Sequence, residues 1–476
     1  MSRGVGAASR ALPPGDLQVT LSGDVRVLDN GRLLVGGSPL RVLRVTDAGS
    51  QVLAGWRSGG PVGESPARQS LARRLLQQDL LCPLPDPVEQ VRSLTMVVPA
   101  RDRLEQLARC LASVRSSCPE SEIIVVDDGS EDREAVRALC QQPRVKLIRH
   151  QRSQGAAAAR NTGLHACTTA FVAFVDSDVA VPSGWAHRLL AHFADPCVGA
   201  VAPRIRAMPP STGAIGGYEE RHSALDMGIR SGSIGPGRPI PYVPAAALIV
   251  RRQAARGGFD PSLPIGEDID FVWRLTGAGW RVRYAPETHV WHDHRDTLRA
   301  FVGRRRVYAI SIALLARRHP DALPAVRVNA RMAAPWALAL LGSRRVALAA
   351  TLAQTLLIGR RLQHVSDHPY RLAGRLVAQG LLGTGAGLAE AARRAWAPAL
   401  LVVALRRPKV WALLATAFTA PVARDALTTR DLRVLPADTA LRLIDEIVAL
   451  CGTWEGCLRE RVTQPLLPQW NDPGSR

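Results

Sequence analysis

The stretch Ala170–Ala180, AFVAFVDSDVA, decides how the rest of the chain is read. An apolar run rich in Val and Phe, the composition of a fully buried strand, stops at two aspartates separated by one serine, Asp176 and Asp178. A buried strand has no structural use for paired charge at its end. Carboxylates leaving the carboxyl edge of a parallel sheet stand where open α/β folds bind ligands, and two of them can hold a hard divalent cation through oxygen. Mg2+ or Mn2+ in that position would meet a diphosphate. Taken alone, so short a pattern is better read as a solvated turn or a helix cap, and it is the flanking sequence that turns the reading toward a ligand.

Upstream, from Ser93, strand and helix patterns alternate. Leu94–Val98, Glu122–Val126 and Val145–Arg149 read as strands, with helices over Asp102–Arg115 and Glu131–Gln141 between them. This is the βαβαβ order of a nucleotide-binding half, a parallel sheet covered by helices. Each strand ends in polar chemistry: the first in PARDR with Asp102, the second in VVDDGS with Asp127 and Asp128. One carboxylate can accept the imide N–H of uracil and another the ribose hydroxyls; Asp127 can equally cap the next helix. After the third strand, Gly155–Gly163 reads GAAAARNTG. Its small residues let a helix amino terminus approach a ligand, with Arg160 and Asn161 in reach of base or phosphates.

Downstream, Pro241–Arg251 is a further strand candidate, followed by GEDIDFVWRL, Gly266–Leu275. Its acidic pair, Glu267 and Asp268, is ordinary in the first turn of a helix. THVWHDHR carries His289, His292 and His294 just downstream. Arg295, Arg304, Arg305 and Arg306 follow, placed either to neutralise a diphosphate or on a solvated helix face.

In order and spacing, TMVVPARDR, IIVVDDGS, GAAAARNTG and FVDSDV resemble the inverting GT-A glycosyltransferases of family 2, over about Leu94–Phe301. The resemblance implies a Rossmann-like nucleotide-diphospho-sugar transferase core. By its motif positions, Asp127 contacts the base, Asp176 and Asp178 bind ribose and metal, and Asp268 is the general base that takes the acceptor hydroxyl proton as oxygen attacks the anomeric carbon opposite the diphosphate. The resemblance also implies that Glu267 orients the loop or binds the acceptor and that His292 gives an imidazole to the metal or the leaving diphosphate. No GxGxxG follows the first strand, which argues against a dehydrogenase domain. The QxxRW signature of processive synthases is absent, which argues against polymer extrusion.

The remaining segments flank this core. Residues 17–60 carry short strand-like runs, with a tight-turn signal at Asp29-Asn30-Gly31. A helix candidate, Ala67–Leu80, then puts Leu71, Leu75, Leu76 and Leu80 on one face before the linker CPLPDP. The pattern resembles winged-helix peptide-recognition modules of the PqqD type, and fits a plain packing extension as well. From Pro335 to Ala423 the chain is Ala/Leu-rich, and arginine pairs bound its apolar runs. None of the runs reaches the ~20 apolar residues of a spanning helix, so the expectation is an apolar helical region associated with a membrane surface.

The formal charge of +20 is nearly all arginine and is spread over most of the chain. With no basic helix interleaved with aromatics, it points to lipid headgroups or a nucleotide diphosphate and not to nucleic acid. Eight scattered cysteines without a CxxC pair fit a reducing cytoplasm, and the amino terminus lacks an apolar core of signal-peptide length. The expected localisation is the cytoplasmic side of the membrane.

Three parts are therefore expected: residues 1–87 as a small β+α, winged-helix-like module with its linker, 88–310 as the GT-A core, and 311–476 as the apolar helical region. Together with the ending Arg433–Pro468, they resemble the glycosyltransferase family of mycofactocin systems. That resemblance implies a UDP-sugar donor, UDP-glucose, and a peptide-derived redox cofactor as acceptor, carrying β-linked glucose. Two other readings stay open: a cell-envelope transferase acting on a lipid or polysaccharide, and a non-catalytic peptide-binding scaffold.

Overall fold

Phe171–Val175 is a strand with all but its first residue buried, and it lies inside a nine-stranded sheet. The computed structural model describes residues 11–91, 93–210, 213–294, 296–428, 433 and 435–470. Arg295 lies outside them. The chain divides into two compact units, residues 1–295 and 296–476.

On one side of Phe171–Val175 the sheet continues in parallel through Leu94–Ala100, Glu122–Asp127 and Val145–Arg149. Their interiors are almost purely Val, Ile, Leu and Met, with Met96, Val97, Ile123, Ile124, Val125 and Val126 wholly buried. Burial on both faces is what makes such strands apolar without alternation, and each side chain so buried contributes about 1.5–3 kcal/mol.

The other side reverses direction. Ala247–Arg251 runs antiparallel to Phe171–Val175, pairing Ala247 with Val175, and also antiparallel to Val198–Ala207. Val198–Ala207 is parallel to Arg281–His292, which pairs with Val179–Ala180 and Gly232–Ser233. The expected strand Pro241–Arg251 thus begins only at Ala247. Pro241 and Pro244 have no N–H to give a ladder, and the carbonyl of Pro241 accepts instead from Trp273 Nε1 at 2.7 Å.

The amino-terminal segment folds onto this sheet. Arg26–Leu28, Leu33–Gly36 and Arg41–Arg44 form a three-stranded antiparallel sheet, and Val19–Leu21 pairs with Leu81–Pro83. The turn expected at Asp29-Asn30-Gly31 joins the first two strands, with Asn30 at φ 52°. Helices Asp47–Arg57 and Pro66–Gln77 cover them, and Leu75, Leu76 and Leu80 are fully buried. Buried polar contacts tie this segment to the core. Arg73 makes a two-pronged ion pair with Asp195 at 2.9 and 2.6 Å, and the Asp79 carboxylate accepts from Ser233 and Arg238.

The second unit is helical. Leu298–Arg318 runs unbroken past residue 310 and packs against Leu435–Glu460. Gly456 permits that approach, since a Cβ there would stand 2.7 Å from the carbonyl oxygen of Ile310. Helices Ala330–Leu340, Arg344–Leu362, Pro369–Ala391, Ala397–Ala404 and Pro408–Thr428 lie between them in sequence. Among the described residues, no helix is long and apolar enough to cross a membrane.

Candidate active site

The carboxyl ends of the parallel strands carry the acidic residues. Asp176 follows Phe171–Val175, and its N–H donates to the carbonyl of Ala246 at 2.9 Å, at the start of the reversed strand. This backbone link places the DSD turn beside the segment leading into Ala247. The helix Glu267–Gly277 starts at Gly266, whose φ of 78° lets the chain turn into it. Ala245 N–H donates to Asp268 Oδ2 at 3.3 Å, so one segment touches both acidic motifs.

Arg160 completes the junction. It sits on the helix Ala156–Ala166, which packs so closely on the sheet that a Cβ at Gly163 would lie 2.2 Å from Val97. The buried guanidinium donates at 2.7 Å to Asp176 Oδ1 and at 2.7 Å to Glu267 Oε1, over the ring of Phe259. Burial works against its charge, and the carboxylates of Asp176, Glu267 and Asp268 outweigh that and keep Arg160 firmly protonated.

The carboxylates respond in the opposite sense. Asp268 is pushed up to about 6, by burial and then by Glu267, against Arg160 and the amides of Ile269 and Ala245. Asp176 is also raised, first by burial, with Arg160 opposing and Asp178 adding repulsion. A carboxylate whose pKa is lifted toward neutrality is in the state a general base needs.

Asp178 Oδ2 accepts from Arg103 at 2.9 Å, and its Oδ1 lies 3.5 Å from His292 Nε2. Strand pairing aligns them, since Val179 is opposite His292. Arg103 reaches Asp178 from a chain bend in which both Asp102 and Arg103 are left-handed, at φ 56° and 52°. Among the described residues, no group of three His, Cys, Asp or Glu side chains is arranged to hold a metal. An oxygen and an imidazole nitrogen aimed at each other still fit a cation that takes its other ligands from a diphosphate and water.

The VVDDGS carboxylates are more enclosed than the sequence suggests. Asp127 has a side chain only 1 % exposed; Ser130 N–H donates to Oδ1 and Arg149 to Oδ2. Asp128 accepts from His150 Nδ1, Ser153 Oγ, Gln154 N and Gly155 N at 2.7–2.9 Å. Burial alone would raise its pKa, and these bonds outweigh it and hold it below the ordinary aspartate value. Asp102 is the open carboxylate of the group, 46 % exposed, with Oδ1 accepting from Glu131 N–H at 2.9 Å.

Asn161 departs from expectation. Its Oδ1 accepts from Phe259 N–H and its Nδ2 donates to Phe259 O, both at 2.7 Å, so both polar ends of its amide are taken up by one residue's backbone. Arg103 and Arg149 are site residues the sequence reading passed over. The signal for Arg103 was its place in PARDR, next to Asp102.

The family model of glycosyl transferase family 2 matches residues 95–256. The pre-mycofactocin glycosyltransferase of Mycobacterium tuberculosis is 37% identical over 474 residues, covering 96% of this chain and 98% of the relative. Glycosyltransferase AglE of Haloferax volcanii is 27% identical over 210 residues, 42% of this chain and 67% of that one. Among solved structures, the mannosyltransferase PcManGT from Pyrobaculum calidifontis, in complex with GDP-Man and Mn2+, shares 21% identity. It covers 63% of this chain and 88% of that one at a TM-score of 0.39, a score that decides nothing about ligands here. The nine-stranded sheet with its acidic carboxyl edge has the GT-A-like α/β form, and by its full-length match the chain belongs to the pre-mycofactocin glycosyltransferases of glycosyltransferase family 2.

Proposed function

We propose that this chain transfers glucose from UDP-glucose to a peptide-derived redox cofactor precursor, with inversion at the anomeric carbon and Asp268 as the base. The observation that carries the reading is the single guanidinium of Arg160 spanning Asp176 and Glu267, which sets the donor-side carboxylates next to the acceptor-side helix. The acceptor class follows the name of the mycobacterial relative that matches over the whole chain.

In this reading Asp268 takes the proton of the acceptor hydroxyl as that oxygen bonds the anomeric carbon and the bond to the diphosphate breaks. Glu267 orients the acceptor, and Arg160 holds Glu267 and Asp176 in fixed geometry. Asp102, the exposed carboxylate, would take the ribose hydroxyls. Asp127 would exchange its bond from Arg149 for the uracil imide, while Asp128 holds the loop Ser153–Gly155. Asp178 and His292 would hold the divalent cation, Mg2+ or Mn2+. When bound, that ion offsets charge growing on the departing UDP.

Mass spectrometry of products after incubation with premycofactocin-type acceptors, several UDP-sugars and Mn2+ or Mg2+ tests the proposal. A hexose added from UDP-glucose, and lost with Asp268→Asn, is expected. Transfer from another nucleotide sugar alone would refute the donor, and transfer only to lipid or polysaccharide would refute the acceptor.

A further inference from the structure

The helix Arg344–Leu362 is built the wrong way round for water. Leu348, Leu352 and Leu356, spaced one turn apart, are 61, 56 and 56 % exposed, and Leu357 beside them is 58 % exposed. Its inward face is small or polar. Ala347 is 8 % exposed, Thr351 and Thr355 return their hydroxyls to the helix's own carbonyls at 2.9 Å, and Gln354 donates to the carbonyl of Arg331. At Gly359 the neighbouring helix comes so close that a Cβ would stand 2.3 Å from the ring of Tyr370. A helix at a protein surface in water puts its leucines inward. Small residues against the neighbour and long apolar ones outward is how helices pack in lipid.

Charge says what covers the face. Arg344 and Arg345 open the helix, Arg360 and Arg361 close it, all four are exposed, and the helix has no acidic residue. Across residues 330–428 there are thirteen basic side chains and three acidic ones. A second copy of the chain would bring the same cations against themselves. A layer of phosphate headgroups supplies the opposite charge, accepts the guanidinium fork, and has hydrocarbon immediately beneath for the leucines. With no helix among the described residues long and apolar enough to cross, the helix would lie along the boundary and not through it.

We propose that Arg344–Leu362 seats this protein on an anionic phospholipid surface, its leucine stripe in the acyl boundary and its terminal arginine pairs on headgroup phosphates. The full chain is tested by co-sedimentation with vesicles of equimolar phosphatidylglycerol and phosphatidylcholine, and with vesicles of phosphatidylcholine alone. Binding to the anionic vesicles is expected, falling at least about tenfold for Leu348→Gln/Leu352→Gln/Leu356→Gln. Arg360→Gln/Arg361→Gln should weaken it by about tenfold as well and flatten its salt dependence. Circular dichroism checks that each variant keeps the wild-type melting temperature; these side chains are solvent-facing, and the arginine pair serves if the leucine variant does not fold. Wild-type protein that stays in the supernatant with anionic vesicles overturns the proposal. So does a folded leucine variant that binds as well as wild type. Sedimentation velocity without vesicles supplies the last test: a wild-type dimer dissolved by the leucine substitutions, with no vesicle binding, would assign the face to self-association.

Discussion

Asp176 and Glu267 share one guanidinium: Arg160 donates to both at 2.7 Å from a buried position. Two motifs far apart in the chain thereby become one charged unit. Removing the cation leaves two largely buried carboxylates without their partner, and an unpaired buried charge costs about 3–5 kcal/mol. Arg160→Met is expected to lose stability in that range by urea denaturation, and Arg160→Lys to lose less, because one ammonium can serve one carboxylate well but not both. Equal losses from both substitutions would show that the two-pronged geometry is immaterial.

Asp268→Asn keeps the shape of the site and removes the base. A fall in kcat of about a hundredfold or more is expected, with UDP binding measured by calorimetry close to wild type. Turnover within a few-fold of wild type would move the base elsewhere.

The pH dependence follows from the same residue. Asp268 is held at about 6 where an ordinary aspartate lies at 3.8, so the working, ionised form is lost as pH falls through about 6, and kcat/KM should show an acid limb there. The sign for stability is the reverse. The folded state binds this proton more tightly than the unfolded one, so Asp268 costs no stability in acid and progressively more as pH rises from the ordinary value through about 6. Asp268→Asn should therefore raise the melting temperature at neutral pH, by the equivalent of up to about 3 kcal/mol, and leave it unchanged near pH 4. A variant less stable than wild type at neutral pH would contradict the sign.

Asp128 behaves as its mirror image. Its folded pKa lies below the ordinary value because four donors converge on it. The stability it contributes is present at neutral pH and is lost as pH falls through that lowered value. Asp128→Ala is expected to cost about 2–4 kcal/mol at pH 7, and the gap to wild type should narrow in acid titrations followed by fluorescence. A gap that does not change with pH would mean the carboxylate charge is not what orders the loop.

Asp178→Asn and His292→Ala act on the same point, since the two side chains approach to 3.5 Å. Each is expected to raise the Mn2+ concentration needed for half-maximal activity by at least about tenfold, and the double variant to do little more than the stronger single one. Simple additivity, or an unchanged metal requirement, would separate His292 from the metal.

The parallel half of the fold was readable because its strands are continuous apolar runs that stop at acids, and Leu94–Ala100, Glu122–Asp127 and Phe171–Val175 form where the pattern puts them. Asp176, Glu267 and Asp268 do meet around Arg160, while Asp178, beside Asp176, pairs with Arg103 and approaches His292. What the sequence concealed is direction and partnership. Nothing in ALIVR says that this strand runs against its neighbour, because side-chain alternation is the same both ways. Asn161 looked like a ligand-binding amide, yet a carbonyl and an amino group two bonds apart also match one residue's backbone, and Phe259 takes both. Asp127 and Asp128 looked alike on the page, and only the surrounding donors reveal how closed each is.

The reversed strand Ala247–Arg251 has a consequence for how such a catalyst can diversify. Because its first residue abuts the last residue of Phe171–Val175, the connection that precedes it ends on Asp176 and Asp268 from outside the parallel half of the sheet. With Asp268 as the proposed base, lengthening or reshaping that connection would change which alcohol is admitted while the parallel strands that carry Asp127 and Asp176 stay as they are. One scaffold can thus be refitted for a new acceptor by editing a single crossover.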